Sequence, residues 1–144
     1  MATVERVVHA TPEQVWTVLS DGWLYPGWVV GASRMREVDS TWPAEGSELH
    51  HSIGAWPVLL DDTTRVVESV PRQLLHLTAR GWPLGEAYVR LHLQQEASGT
   101  RITLEEDAQS GPGVLVPRTL RSPAIRWRNV ETLRRLAYLA ERRV

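Results

Sequence analysis

Turn-forming residues divide the middle of this chain into short segments, and this feature restricts the possible folds more than any other. Glycine and proline recur between positions 31 and 107 at spacings that leave room for strands but not for long helices. Six strands fit between the turns, near residues 32 to 39, 46 to 54, 62 to 70, 73 to 81, 86 to 95 and 101 to 108. The fifth is the clearest, because Ala87, Val89, Leu91 and Leu93 alternate with polar residues, as in a sheet with one buried face.

Helical signals lie toward the two ends of the chain. Residues 3 to 10 are rich in valine and predict a first strand, after which Thr11 and Pro12 supply an N-cap and a first-turn proline for a short helix. Trp23 to Trp28 predicts a short helical turn. In the last part of the chain, apolar residues recur at the spacing of a long amphipathic helix, and Pro123 predicts a kink or break within it.

This order of elements predicts an α+β fold. One strand, two short helices, six strands and one long helix place the helices outside a run of antiparallel strands. A seven-stranded antiparallel sheet twists and curls, and the last helix is the element able to cover its apolar face. Because one helix is narrower than such a sheet, we expect a void beneath it. With 144 residues, the chain is expected to form one domain over residues 1–144.

Composition excludes several functional classes. The chain has no cysteine, which rules out disulfides, thiolate nucleophiles and cysteine-based metal sites. A net charge of -1 with no dense basic stripe argues against nucleic acid as a partner. No histidine spacing typical of a metal site, no phosphate-binding loop and no dinucleotide fingerprint is present, so no metal and no cofactor are expected. The chain also shows no signal peptide and no membrane span, which predicts a cytoplasmic protein.

A set of short motifs in a fixed order resembles a known superfamily. The motifs are Ala10 to Trp16, Asp21, Pro26 to Trp28, Asp39 to Gly46, Val70-Pro71, Gly99 to Thr103, Glu106, Arg128-Asn129 and Leu133. In this order the chain resembles the START and pollen-allergen-like helix-grip superfamily (SRPBCC), in its polyketide cyclase, dehydrase and lipid-transport branch. The resemblance implies a curved seven-stranded antiparallel sheet wrapped around a long C-terminal helix. It also implies a cavity for lipids, polyketides or steroid-like molecules, usually without a metal or cofactor.

The candidate ligand-binding residues lie on the predicted apolar faces or beside glycine and proline at the ends of elements. They are Trp28, Leu49, His51, Ile53, Trp56, Trp82, Val89, Leu91, Glu106, Arg126, Asn129, Val130 and Leu133. Among them, Trp28, Trp56 and Trp82 are candidates for the mouth of a cavity. The alternative is that each tryptophan fills core volume or covers one end of the fold.

Four polar residues in this set each allow two interpretations. His51 is predicted to point inward, where it could donate to a ligand or move a proton, or simply form a hydrogen bond inside the sheet. Glu106 shares the inward register and could act as a base or form a salt bridge with an arginine such as Arg126. Asn129 and Arg126 could both face a ligand from the helix. Alternatively, Asn129 bonds to a neighbouring strand and Arg126 extends to water.

Three functions remain open at this stage. The first is binding or transport of a small hydrophobic molecule by a monomer or homodimer. The second is a cofactor-independent cyclase or dehydratase that uses His51 or Glu106 as catalytic residue. The third is an accessory protein that binds a partner and has an incidental cavity. An open pocket favours the first two, whereas an interior filled by tryptophan favours the third.

Overall fold

The computed structural model describes residues 2–30, 32–55, 58–81 and 85–142, and its elements follow the predicted order. The strands are β1 (Ala2–Val8), β2 (Ala32–Val38), β3 (Glu48–Ala55), β4 (Val58–Val70), β5 (Leu74–Gly81), β6 (Gly85–Glu96) and β7 (Gly99–Ser110). The α-helices are α1 (Pro12–Ser20), α2 (Tyr25–Trp28) and α3 (Arg118–Arg142), and 3₁₀ turns cover Gly22–Leu24 and Pro112–Leu115.

The strands form one antiparallel sheet. Its order is β1-β7-β6-β5-β4-β3-β2, so every strand pairs with its neighbour in sequence except β1, which joins β7 at one edge. The long helix α3 packs on β1 and β7 and also contacts α1 and α2. This arrangement confirms the predicted α+β helix-grip fold, in which a curved sheet holds the C-terminal helix.

The first helix begins where the sequence predicts. Thr11 accepts a hydrogen bond from the Gln14 N–H at 3.1 Å, and the Gln14 side chain accepts one from the Thr11 N–H at 2.8 Å. This capping box satisfies two backbone donors at the helix start, and Pro12 lacks the N–H that would otherwise need a partner there. Val15 and Leu19 then face the core.

Helix α3 continues through Pro123. It runs from Arg118 to Arg142, about seven turns, so of the predicted kink or break at Pro123, the break is wrong. Proline removes one hydrogen bond, to the carbonyl of Thr119 four residues earlier. Because Arg118, Thr119 and Leu120 are exposed to solvent, water can bind the freed carbonyl oxygen.

The core is built from rows of side chains that cross the sheet. Leu75 on β5 pairs with Leu91 on β6, which pairs with Leu104 on β7, and all three are buried. Val4 on β1 continues this row to the sheet edge. The C-terminal half of α3 covers the same face with Leu133, Leu136, Ala137 and Ala140, which are all buried. Apolar packing therefore closes this end of the molecule.

Candidate functional site

A cavity of about 490 Å³ lies between the sheet and the N-terminal half of α3. Its sheet wall contains a row of small side chains: Ala79 on β5 pairs with Ala87 on β6, which pairs with Ala108 on β7. Thr64 on β4 pairs with Ala79 and extends the row. Alanine and threonine reach less far from the sheet than the leucines of the core row. The cavity is therefore the volume that larger side chains would have filled.

The opposite wall comes from helices and turns. Ala124 and Ile125 face the cavity from α3, and Val29 and Val30 follow α2 into it. Val116 lies at the end of the second 3₁₀ turn and also lines the cavity. Most of this wall is aliphatic, which suits an apolar ligand.

Three buried polar side chains form a hydrogen-bonded network on the cavity wall. The Tyr25 Oη lies 3.1 Å from the Thr64 Oγ1, and the His51 Nε2 lies 2.8 Å from the same oxygen. The rings of Tyr25 and His51 stack with centroids 5.4 Å apart. All three residues line the cavity, and His51 is only 3% exposed. We call this group the hydroxyl network.

Burial fixes the protonation of the network. Burial lowers the pKa of His51 below its ordinary value of 6.5, an effect that the nearby Asp62 carboxylate opposes and that Arg36 and His50 reinforce. Burial also raises the pKa of Tyr25 to about 12, despite the hydrogen bond from Thr64. At neutral pH the imidazole is therefore uncharged, and the phenol keeps its proton.

The hydrogen-bond pattern indicates which imidazole nitrogen carries that proton. The His51 Nδ1 is buried and has no hydrogen-bond partner among the described residues. A buried N–H without an acceptor is costly and rare, whereas an unused lone pair is tolerated more often. The proton therefore belongs on Nε2, which donates to the Thr64 Oγ1. Thr64 and Tyr25 then share one hydrogen bond with two hydroxyl protons, so one O–H is left for a ligand.

Glu106 does not stand free in the cavity. It points inward from β7, bonds to the Arg128 guanidinium and accepts a 3.1 Å hydrogen bond from the Asn129 side-chain amide. Both partners lie on α3, so this cluster ties the helix to the sheet beside the cavity. This contact matches the salt-bridge interpretation, with Arg128 in place of Arg126.

A second ion pair holds the turn that precedes α3. Arg121 bonds to the Asp107 carboxylate at 2.8 Å and also donates to the carbonyl oxygens of Val114 and Val116. Burial alone would raise the pKa of Asp107, but hydrogen bonds and positive charge around it, among them the Arg121 guanidinium and the Ala108 N–H, hold that pKa below its usual range. The pair therefore fixes the turn against β7 at the border of the cavity.

The structure places the predicted residues in three groups. His51 and Glu106 line the cavity. Trp28, Leu49, Leu91 and Leu133 belong to the buried core instead, and Val89 packs against that core. Trp28 is therefore not at a cavity mouth, because its ring packs edge-on against Tyr25 inside the protein. Asn129 is buried, and its side-chain amide donates a hydrogen bond to Glu106.

Val130 and Arg126 both lie away from the cavity, which for Arg126 is one of the two alternatives that the sequence allowed. Val130 is 48% exposed, because the neighbouring Asn129 turns inward and successive helix residues are rotated by about 100°. Arg126 is exposed and donates to the Thr3 carbonyl oxygen on β1, so it does not face the cavity. Trp56 and Trp82 lie outside the described residues, as does the side chain of Ile53.

Several residues that shape the site were not predicted from the sequence. Tyr25 and Thr64 complete the hydroxyl network, and Ala79, Ala87 and Ala108 form the small-residue row. The alanines carry a usable signal, since a hairpin register places them opposite one another. No sequence signal identifies Tyr25, because the spacing of residues cannot assign an inner face to a four-residue helix.

The described part of the chain lacks both a metal-binding cluster and a membrane-spanning helix. It contains no group of three or more histidine, aspartate or glutamate side chains placed to hold a metal ion. Within the same residues, no helix combines the length and apolar character needed to cross a bilayer. A groove of about 510 Å³ on the outer side of α3 is lined mainly by charged residues, among them Glu131, Arg134, Arg135 and Glu141, and does not reach the hydroxyl network.

The fold and cavity define a helix-grip protein with a space between its sheet and its last helix. The chain belongs to the family described as polyketide cyclase / dehydrase and lipid transport, whose model matches residues 1–141. This confirms the resemblance drawn from the motifs. No curated protein sequence matches the chain.

Solved structures share the fold at low sequence identity. Protein NE0264 from Nitrosomonas europaea has 20% identity and a TM-score of 0.73, covering 97% of this chain and 93% of its own. A protein from Rhodobacter sphaeroides has 24% identity and a TM-score of 0.73, covering 95% and 89%. The di-domain ARO/CYC StfQ from the steffimycin biosynthetic pathway has 12% identity and a TM-score of 0.70, covering 98% of this chain and 50% of its own. At these identities the likeness shows the fold alone.

Proposed function

We propose that this protein binds a small hydrophobic molecule that carries a hydrogen-bond acceptor, such as a carbonyl oxygen. The observation that carries the proposal is the hydroxyl network on the wall of a mainly apolar cavity, whose lining also includes charged residues such as Glu106 and Arg128. The cavity volume of about 490 Å³ falls within the range of known ligand sites. Apolar burial would supply most of the affinity, and the spare O–H would orient the acceptor.

A cyclase or dehydratase activity is the second candidate. The supporting observation is the hydrogen-bonded path Tyr25–Thr64–His51, in which the imidazole N–H supports the hydroxyls and the spare O–H could stabilise negative charge that develops on a substrate oxygen. Glu106 is a weaker candidate, because Arg128 and Asn129 already hold its carboxylate. The accessory interpretation loses support, because the described interior leaves open space that tryptophan side chains do not fill.

Native mass spectrometry of the purified protein tests the binding proposal directly. We expect a co-purified hydrophobic compound, or uptake of an added apolar dye such as anilinonaphthalene sulfonate. Ala87→Leu points a larger side chain into the cavity and should abolish uptake, while Ala44→Leu changes an exposed loop residue and serves as the matched control. If both variants take up the dye equally, the dye binds outside the cavity and the proposed site is refuted.

The same experiment separates binding from catalysis. A captured compound is incubated with the wild-type protein and with Thr64→Val, which interrupts the path to His51. A binder returns the compound unchanged and loses some affinity in the variant. An enzyme converts it to a product of different mass or structure, and the rate falls when the path is cut.

A further inference from the structure

Large apolar side chains stand in solvent beside the cavity. Leu115 is 84% exposed, Leu120 is 67% exposed and Trp127 is 81% exposed, and Val114 and Val116 are also partly exposed. Val116 and Leu120 line the cavity as well, so this surface borders its opening. We call these five residues the rim patch. An exposed apolar group of this kind usually marks an interaction site.

The rim patch is held in its exposed position by polar contacts. Arg121 donates to the carbonyl oxygens of Val114 and Val116, and the same guanidinium pairs with Asp107 on β7. Trp127 follows Leu120 by seven residues, nearly two full helical turns, so both side chains project from the same side of α3. The apolar residues are therefore presented together on a fixed turn and helix.

Charge identifies the kind of partner. Helix α3 contains seven arginines and two glutamates, a net charge of +5, whereas the whole chain has a net charge of -1, so the remaining residues carry -6. Arg118, Arg126 and Arg134 are exposed. Arg121 and Arg128 pair with Asp107 and Glu106 on the sheet, so the other five arginines and the two glutamates leave +3 on the helix. Two copies of the chain that met through this face would bring +3 against +3. An anionic surface matches both the arginines and the apolar side chains.

We propose that the rim patch and the arginines of α3 dock on the surface of an anionic lipid bilayer. Tryptophan and leucine beside arginine are the residues that partition into the interface between headgroups and acyl chains, and each arginine adds attraction to anionic lipid. In this orientation the opening of the cavity faces the membrane. The docking requires no particular ligand, so it goes beyond the function proposed above.

Sedimentation with lipid vesicles tests the docking. We expect the protein to bind vesicles that contain phosphatidylglycerol, to bind pure phosphatidylcholine vesicles far less, and to dissociate as salt is raised. Leu115→Ser and Trp127→Ala should each weaken binding about tenfold, because each removes a large apolar side chain from the interface. Both residues are exposed, so the variants should keep the wild-type circular dichroism spectrum.

Two exposed apolar residues outside the rim patch provide matched controls. Val67→Ser on β4 and Trp23→Ala on the first 3₁₀ turn should leave vesicle binding unchanged. The proposal is overturned if wild-type protein ignores anionic vesicles, or if the controls weaken binding as much as the rim variants. Dye uptake by the same samples tests the cavity independently. If the protein takes up dye but does not bind vesicles, the proposed ligand-binding function stands and only the proposed membrane docking is refuted.

Discussion

Replacing Thr64 with valine is expected to destabilise the protein well beyond the usual effect of so small a change. Valine keeps the shape of the side chain but removes the oxygen that Tyr25 and His51 share. Two hydrogen bonds are lost, and the buried His51 Nε2–H is left without an acceptor. At about 1 kcal/mol for each bond and a similar cost for the stranded donor, the free energy of unfolding should fall by about 2 to 4 kcal/mol.

Urea unfolding followed by tryptophan fluorescence measures this change. The control is Thr63→Val, one position away on β4, where the backbone N–H donates to Asp62 and that bond survives the substitution. The control should change the free energy of unfolding by no more than about 0.5 kcal/mol. Tyr25→Phe added to Thr64→Val should cost less than Tyr25→Phe alone, because its hydrogen bond is already gone. Equal losses for the two threonine variants would refute the hydroxyl network as a stabilising unit.

Three other predictions follow from the same structure. The pKa of His51 in the folded protein lies below 6.5. The stability that neutral His51 contributes is therefore complete above about pH 6.5 and declines as the pH falls through the folded-state pKa. His51→Gln should flatten that decline in urea unfolding curves measured at several pH values. Ala87→Leu should lower dye affinity at least tenfold. It should change the free energy of unfolding by less than about 1.5 kcal/mol, because the leucine side chain enters open space. The control Ala44→Leu should change neither quantity. Asp107→Asn removes the negative charge that pairs with the Arg121 guanidinium and should lower the free energy of unfolding by about 3 kcal/mol. A variant as stable as the wild-type protein would contradict a structural role for that ion pair.

Sequence patterns predicted an element correctly where the residues of that element themselves determine its structure. Alternation along β6 predicts a strand with one buried face, and Thr11 with Pro12 predicts the start of α1, as the structure confirms. The error at Pro123 arose because the rule for proline does not distinguish an exposed first turn from a buried helix interior. The error at Val130 has a different source: apolar character suggested burial, but the bond from Asn129 to Glu106 determines which side of the helix faces inward.

The site was only partly predictable, because its parts meet through tertiary contacts. The period of two placed His51 and Glu106 on the inner face, where the structure has them. Nothing in the sequence near Thr64 indicates that a tyrosine 39 positions earlier reaches its hydroxyl. The alanine row could have been found, because the tight connection between β6 and β7 sets the register that pairs Ala87 with Ala108.

The two halves of α3 are held to the sheet by different forces, and this difference explains how the cavity stays open. From Leu133 onward the helix is fixed by buried apolar side chains that fill the space beneath it. In the N-terminal half no residue from Arg118 to Arg128 is buried, and Arg121 and Arg128 reach the sheet instead through Asp107 and Glu106. A long arginine side chain can hold a helix at a distance without filling the volume beside it. The ion pairs therefore act as supports at the border of the cavity, and a hydrophobic ligand would supply the apolar contacts that the alanine row omits.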